Sequence, residues 1–368
     1  MRINEGPSSL ARYLVAAYAL LIVYASLHPF SGWVDNGAAP FAWLVMGRPR
    51  YITAFDLSAN VLAYLPLGFL GVLALFPHLR GARAAAVMFL LSALLSAGLE
   101  SLQTYLPSRY ASNIDLAANA AGALLGALCG AAAARVLLRD EGLQALRYRL
   151  FRTGARIDMG LVLLGLWLFS LLNPETLLFG NGDLRALFQT PSGRLYPAEV
   201  FIRVEAAVAG ANALAVCLFA GTLMRTGQPA RLVMLAVLAS GLLVRTFAYG
   251  LLFSAQEILL WVTPGALFGT AAGALLAILA AGLPRPARLA LTGLALMLAA
   301  AVVNFAPENP YFAAFLAEWR QGHFLNFNGL TRLVSAAWPF AALAYLMSLA
   351  NDRSQRVNGG NGGWSNSG

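Results

Sequence analysis

The sequence contains no lysine: all 25 basic residues are arginine, set against 16 Asp and Glu. Charged residues make up 11% of the 368-residue chain, whereas soluble domains carry about 25%. That shortage excludes a water-soluble globular protein. Cysteine is nearly absent. Cys129 and Cys217 sit singly inside apolar runs, without C-x-x-C spacing, and the three histidines are not clustered. No disulfide framework, zinc site, other metal or cofactor is therefore expected. Apolar and aromatic residues reach 59%, with a mean hydropathy of +0.68, which excludes a disordered chain as well. The class that remains is an all-α, multi-pass membrane protein.

A bilayer core needs about 20 apolar residues per helix. Ten segments qualify: 10–26, 57–76, 84–105, 114–138, 157–172, 200–223, 230–253, 264–283, 287–304 and 329–349. The first starts between Arg2 and Arg12 but is long for a signal sequence. Leu27-His28-Pro29 offers no small-residue cleavage site, so it reads as an uncleaved helix.

The net charge of +9 would suit a nucleic-acid partner. The arginines, however, lie in short segments between apolar runs, so no nucleic-acid partner is expected. Arg2 and Arg12, Arg80 and Arg83, Arg139 to Arg156, Arg225 and Arg231, Arg285 and Arg288, and Arg353 and Arg356 mark every second connection. By the rule that cytoplasmic loops carry the basic excess, both termini face the cytoplasm, and the protein is placed in a bacterial inner membrane. Segments 27–56 and 173–199 become long outer loops. Trp33, Trp43, Tyr51, Phe179, Phe188 and Tyr196 in them serve as interface anchors or as covers for a cavity. The tail from Asn351, rich in Asn, Gly and Ser, reads as disordered. The division is 1–140, 157–349 and a tail of 350–368.

The second region contains a possible degenerate repeat. Ala120-Ala121-Gly122-Ala123-Leu124-Leu125 recurs as Ala271-Ala272-Gly273-Ala274-Leu275-Leu276. The copies would be offset by four helices, an even number, so they would run parallel.

Ionisable groups inside a membrane are costly and mark candidate sites. Asp56 and Asn60 share a face at i, i+4, Glu100 and Gln103 are at i, i+3, and Arg109 lies in the following loop. Asp115 and Asn119 are again at i, i+4, with Gly122 and Gly126 continuing that face as a small-residue stripe. Three polar faces thus converge near the outer surface, above Tyr64-Leu65-Pro66-Leu67-Gly68, where proline is expected to kink the helix. Helix capping accounts equally well for Asp56 and Asp115. Glu100 is different, because near a helix C-terminus the dipole disfavours it, and pairing with Arg109 is its simplest structural role. In the second region the hexamer register puts Ala266 and Thr270 opposite Asp115 and Asn119, so the acidic pattern is lost there.

Residues 28–126 resemble the VanZ-like membrane family. The likeness rests on His28-Pro29-Phe30, Asp56-Leu57-Ser58-Ala59-Asn60, Leu65-Pro66-Leu67-Gly68-Phe69, Glu100-Ser101-Leu102-Gln103, Leu106-Pro107-Ser108-Arg109 and Asp115-Leu116-Ala117-Ala118-Asn119 with Gly122. The resemblance implies a small bacterial membrane protein, and the name-giving member is associated with low-level resistance to teicoplanin, a glycopeptide. It supplies no mechanism.

The favoured reading is a protein that binds or modifies a cell-envelope amphiphile, a membrane lipid or lipid-linked molecule, at the outer leaflet. Its ligand-binding residues would be Asp56, Asn60, Glu100, Gln103, Arg109, Asp115 and Asn119. One alternative is a transporter or channel, although its site would be expected nearer mid-membrane. Another is an intramembrane enzyme using Glu100 and Asp115 as an acid–base pair, or a divalent cation on Asp56, Glu100 and Asp115 with His28. Small-residue stripes pack helices within one chain as readily as between chains, so they set no oligomeric state.

Overall fold

The computed structural model describes residues 9–35, 37–45, 53–138, 142–185, 196–253, 256–307, 309–310 and 325–360. Among these residues it contains eleven α-helices and no strand. They are α1 Ser9–Leu27, α2 Ala54–Leu75, α3 Gly81–Gln103, α4 Asn113–Leu137, α5 Leu143–Leu150, α6 Ala155–Ser170, α7 Ala198–Leu223, α8 Ala230–Leu252, α9 Pro264–Ala280, α10 Arg285–Phe305 and α11 Leu325–Gly360.

Every expected span coincides with a helix, but only eight of these are long and apolar enough to cross a membrane. The other two expected spans fall on α6 and α9, which have 16 and 17 residues and stay below that length. Arg156 and Asp158 occupy the first turn of α6, and Gly282 and Pro284 follow the end of α9. Helix α5 was not anticipated. Its sequence Leu-Gln-Ala-Leu-Arg-Tyr-Arg-Leu alternates leucine with arginine at helical spacing, and Arg147 forms an ion pair with the fully buried Asp158 of α6. Helical backbone in α11 continues to Gly360, ten residues into the segment read as a disordered tail; residues 361–368 lie outside the described ones.

The chain divides into two compact units, Met1–Val162 with Gly322–Leu330, and Leu163–Gln321 with Thr331–Gly368. In the first unit α2 and α4 make the closest crossing. Gly122, Gly126 and Gly130 of α4 lie against the backbone of Val61, Leu65 and Phe69 of α2. A Cβ on Gly122 or Gly126 would collide with the carbonyl of Val61 or Leu65. Small residues at i, i+4, i+8 thus allow the backbone contact that holds helices together in lipid. Helix α2 runs through Pro66 as one helix. The core gathers Ile22 and Leu27 of α1, Tyr64 and Leu67 of α2, Leu99 of α3, Leu106 of the following loop and Ala123 of α4. Large apolar side chains such as Leu20, Leu62, Leu94 and Leu125 point outward, as helix surfaces facing hydrocarbon do.

The second unit is organised around α7, whose residues from Val208 to Leu223 are largely buried. Its pairing with α9 uses the same device. Gly265, Gly269 and Gly273 of α9 lie against Ile202, Ala206 and Gly210 of α7.

Candidate functional site

The polar residues of the first unit occupy successive turns where α2, α3 and α4 meet. Helix α2 begins with a capping box. Thr53 Oγ1 accepts the Asp56 N–H at 3.1 Å, and Asp56 Oδ2 accepts the Thr53 N–H at 3.1 Å. The Thr53 hydroxyl also donates to Asp56 Oδ2 at 2.7 Å. One turn on, Asn60 Nδ2 donates to Asp115 Oδ1 at 2.8 Å, joining α2 to α4. A further turn along, Tyr64 meets Ser96 of α3, and Asn119 of α4 donates to Ser96 Oγ at 3.0 Å. Ser92, Ser96 and Glu100 form a buried i, i+4, i+8 polar stripe on α3.

Glu100, 4% exposed, turns toward the next helix. Its Oε2 accepts the N–H of Ser112 at 2.9 Å. Ser112 is the N-cap of α4, and its hydroxyl accepts from Ile114 N at 3.2 Å and Asp115 N at 3.4 Å. The dipole objection to Glu100 at the end of α3 is thereby answered, because the carboxylate sits at the positive end of α4.

Arg109 and Gln103 turn away from this group, to the last turn of α1. Arg109 Nη2 donates to the carbonyls of Ala25 at 2.7 Å and His28 at 2.9 Å, and Nε to His28 at 3.2 Å. Gln103 Nε2 donates to the Ser26 carbonyl at 2.9 Å. Both residues close carbonyls that a helix C-terminus leaves without partners. Burial lowers the affinity of the Arg109 guanidinium for its proton, and the charge of Glu100 opposes that effect. The two charges feel each other, but the hydrogen bonds of Arg109 go to main chain.

Of the seven residues singled out in the sequence, Asp56, Asn60, Glu100, Asp115 and Asn119 line the α2–α3–α4 junction, whereas Gln103 and Arg109 fasten α1. Sequence reasoning missed Thr53, Ser96 and Ser112. Thr53 and Ser112 stand immediately before helices and carried a capping signal. Ser96 had only its i, i+4 relation to Glu100. Trp43 is fully buried, its Nε1 donating to Pro40 O at 2.9 Å and Ser101 Oγ at 3.2 Å. Trp33 is exposed. In the other long loop Phe179 is fully buried against Trp167, and Tyr196 is exposed. Tyr51 and Phe188 lie outside the described residues.

The arrangement is rich in acceptors. Asn119 is 6% exposed, and its Oδ1 has no hydrogen-bond partner among the described residues. Asp115 is half buried and uses only Oδ1 toward Asn60. No three His, Cys, Asp or Glu side chains form a metal-holding group among the described residues, so the cation on Asp56, Glu100 and Asp115 with His28 has no support here.

The VanZ/LLP1 family model matches residues 9–134, about a third of the chain. The match takes in α1, α2 and α3 whole and all but the last turn of α4. The likeness read over 28–126 is therefore confirmed, and it extends back through α1. No curated protein and no solved structure matches the chain. The chain thus carries a VanZ-like segment within a multi-pass, helical membrane protein.

Proposed function

We propose that the VanZ-like unit binds the headgroup of a cell-envelope amphiphile, a membrane lipid or lipid-linked molecule, at the outer leaflet of a bacterial inner membrane. The observation that carries this reading is the acceptor-rich junction of Asn60, Asp115 and Asn119 beside a cap that Glu100 completes. Hydroxyl and amide groups of a headgroup supply the donors that such a junction lacks. Asp115 and Asn60, being half buried, are the contact residues. Glu100, Gln103 and Arg109 position them by fixing the start of α4 and the end of α1. Asp56 holds the start of α2. A role in glycopeptide resistance would follow if the amphiphile is an envelope precursor.

Lipid-resolved native mass spectrometry on the full-length protein in mild detergent tests the proposal. The wild type is expected to retain an envelope amphiphile that Asp115→Asn and Asn60→Ala lose at unchanged yield. The same amphiphile content in all three proteins overturns the assignment. Both termini facing the cytoplasm puts this junction on the outer side, and cysteine-accessibility labelling of Ser58→Cys from outside intact cells checks that placement.

A further inference from the structure

The second unit buries a cation in an apolar helix. Arg245 of α8 is 1% exposed. Its Nη1 and Nη2 donate to the carbonyls of Asn173 and Thr176 in the loop after α6, with Leu171 O 3.5 Å from Nη1. The guanidinium also lies over the Tyr249 ring, 5.0 Å from its centroid, and hydrogen-bonds to the Tyr249 side chain. All these partners are neutral. Glu205 is the carboxylate whose charge reaches Arg245, but it hydrogen-bonds to Thr263 and forms no ion pair with the arginine. A guanidinium inside a membrane helix with no carboxylate in ion-pair contact among the described residues is an expensive arrangement.

Around it lies a surplus of donors. Among the described residues, Arg245 Nε has no hydrogen-bond partner. Asn173 is fully buried. Its Oδ1 accepts the Glu175 N–H at 3.0 Å, which fixes the amide orientation and leaves Nδ2 without a partner. Trp167 is fully buried too, and its Nε1 is likewise unpartnered. An indole and a guanidinium are donors only, so no amide flip removes the imbalance. The three belong to one neighbourhood. Arg245 bonds to the Asn173 carbonyl, and the Trp167 ring lies against Gly241, one turn before Arg245 on α8.

We infer that Arg245, Asn173 and Trp167 form a binding site for a single phosphate-class oxyanion, either the headgroup of an anionic lipid or free inorganic phosphate. The anion neutralises the buried guanidinium, and its oxygens accept from Nε, Nδ2 and Nε1. A phosphate group, with more oxygens than a carboxylate, matches three separate donors better. This site is separate from the acceptor-rich junction of the first unit and has the opposite polarity. Residues from 163 onward carry it, beyond the VanZ/LLP1 match.

Asn173→Asp is the discriminating variant. It keeps the oxygen that accepts from Glu175 and the main-chain carbonyl that Arg245 uses, but it replaces the free donor with an anionic oxygen. Trp167→Phe removes one donor and keeps a ring against Gly241. Full-length protein in neutral detergent is titrated with phosphatidylglycerol, with inorganic phosphate, and with diacylglycerol as a lipid lacking phosphate, and binding is followed by native mass spectrometry. Wild type is expected to bind phosphatidylglycerol or phosphate in preference to diacylglycerol. Asn173→Asp should bind at least about tenfold more weakly, and Trp167→Phe several-fold more weakly, with thermal stability retained. Phosphatidylglycerol that phosphate does not displace identifies a lipid headgroup. Phosphate bound in its place identifies a free anion. Binding of neither probe by wild type, or wild-type affinity in Asn173→Asp, overturns the inference and leaves Arg245 a clamp on the loop carbonyls.

Discussion

Glu100 Oε2 accepts the main-chain N–H of Ser112 at 2.9 Å, so the acidic residue in the last turn of α3 completes the first turn of α4. Two helices joined by the nine residues 104–112 are tied at their junction by one buried bond. Ser112 uses its own hydroxyl for the N–H groups of Ile114 and Asp115, so the start of α4 depends on both side chains.

Removing the carboxylate should therefore act through the orphaned N–H. Glu100→Ala is expected to cost about 1–3 kcal/mol, the penalty of a buried donor left unsatisfied. Glu100→Gln keeps an accepting oxygen and should lose less than half as much. Thermal unfolding of the purified variants in one detergent measures both. Equal losses would show that the charge, and not the hydrogen bond, holds the junction.

The crossing of α2 and α4 predicts a sharp contrast between glycines. A side chain at Gly126 meets the Leu65 carbonyl, which belongs to the backbone and has no rotamer to move into. Gly126→Val should abolish the folded, monodisperse protein, since overpacking against backbone exceeds the usual 1–3 kcal/mol of a core insertion. Gly98, in α3, faces open space. Gly98→Ala should be neutral or stabilise by up to about 1 kcal/mol, as expected for alanine within a helix. Size-exclusion profiles of the two variants decide it.

Much of this was legible in the sequence because the membrane allows few solutions. Apolar runs located the helices, and Gly122 and Gly126 marked a face for close helix packing without naming its partner. The Asp56–Asn60 and Asp115–Asn119 spacings put those residues at one junction. What spacing leaves open is which way a side chain turns. Arg109 is close enough in sequence to pair with Glu100, yet three exposed carbonyls at the end of α1 claim it and Gln103. Glu100 looked misplaced only because its own helix was considered and not the next one. Arg245 was visible as an arginine within an apolar run, but its partners are main-chain carbonyls, which leave no trace in side-chain patterns. Spans of 16 and 17 residues differ from full ones by a turn, less than hydropathy resolves.

Arg109 should behave as a fastening of α1. Lysine has one ammonium and cannot reproduce the two-armed reach to Ala25 and His28, so Arg109→Lys and Arg109→Ala should both loosen the chain after Leu27. Because the guanidinium is only partly buried, the expected loss is small, about 1 kcal/mol. Hydrogen–deuterium exchange should rise in residues 25–35 and stay unchanged in α4. Faster exchange in α4 as well would mean that Arg109 supports the acceptor-rich junction directly.

Ser112 and Thr263 are 151 residues apart, the same separation as the two copies of the alanine–glycine hexamer. Each caps the helix that carries its copy: Ser112 accepts from Ile114 and Asp115, and Thr263 accepts from Ala266 at 3.1 Å. Each of those helices also lays a glycine stripe on a long helix, α4 on α2 and α9 on α7. If the two caps do the same work, Ser112→Ala and Thr263→Val should each cost about 1 kcal/mol, the usual value for a lost N-cap. The sites are in different units and share no partner, so the double variant should lose the sum of the two within about 0.5 kcal/mol. Chemical unfolding of the single and double variants measures this. A Thr263→Val loss well above that of Ser112→Ala would locate the difference in Glu205, because the Thr263 side chain also hydrogen-bonds to that carboxylate, whereas Ser112→Ala keeps the main-chain N–H that Glu100 accepts.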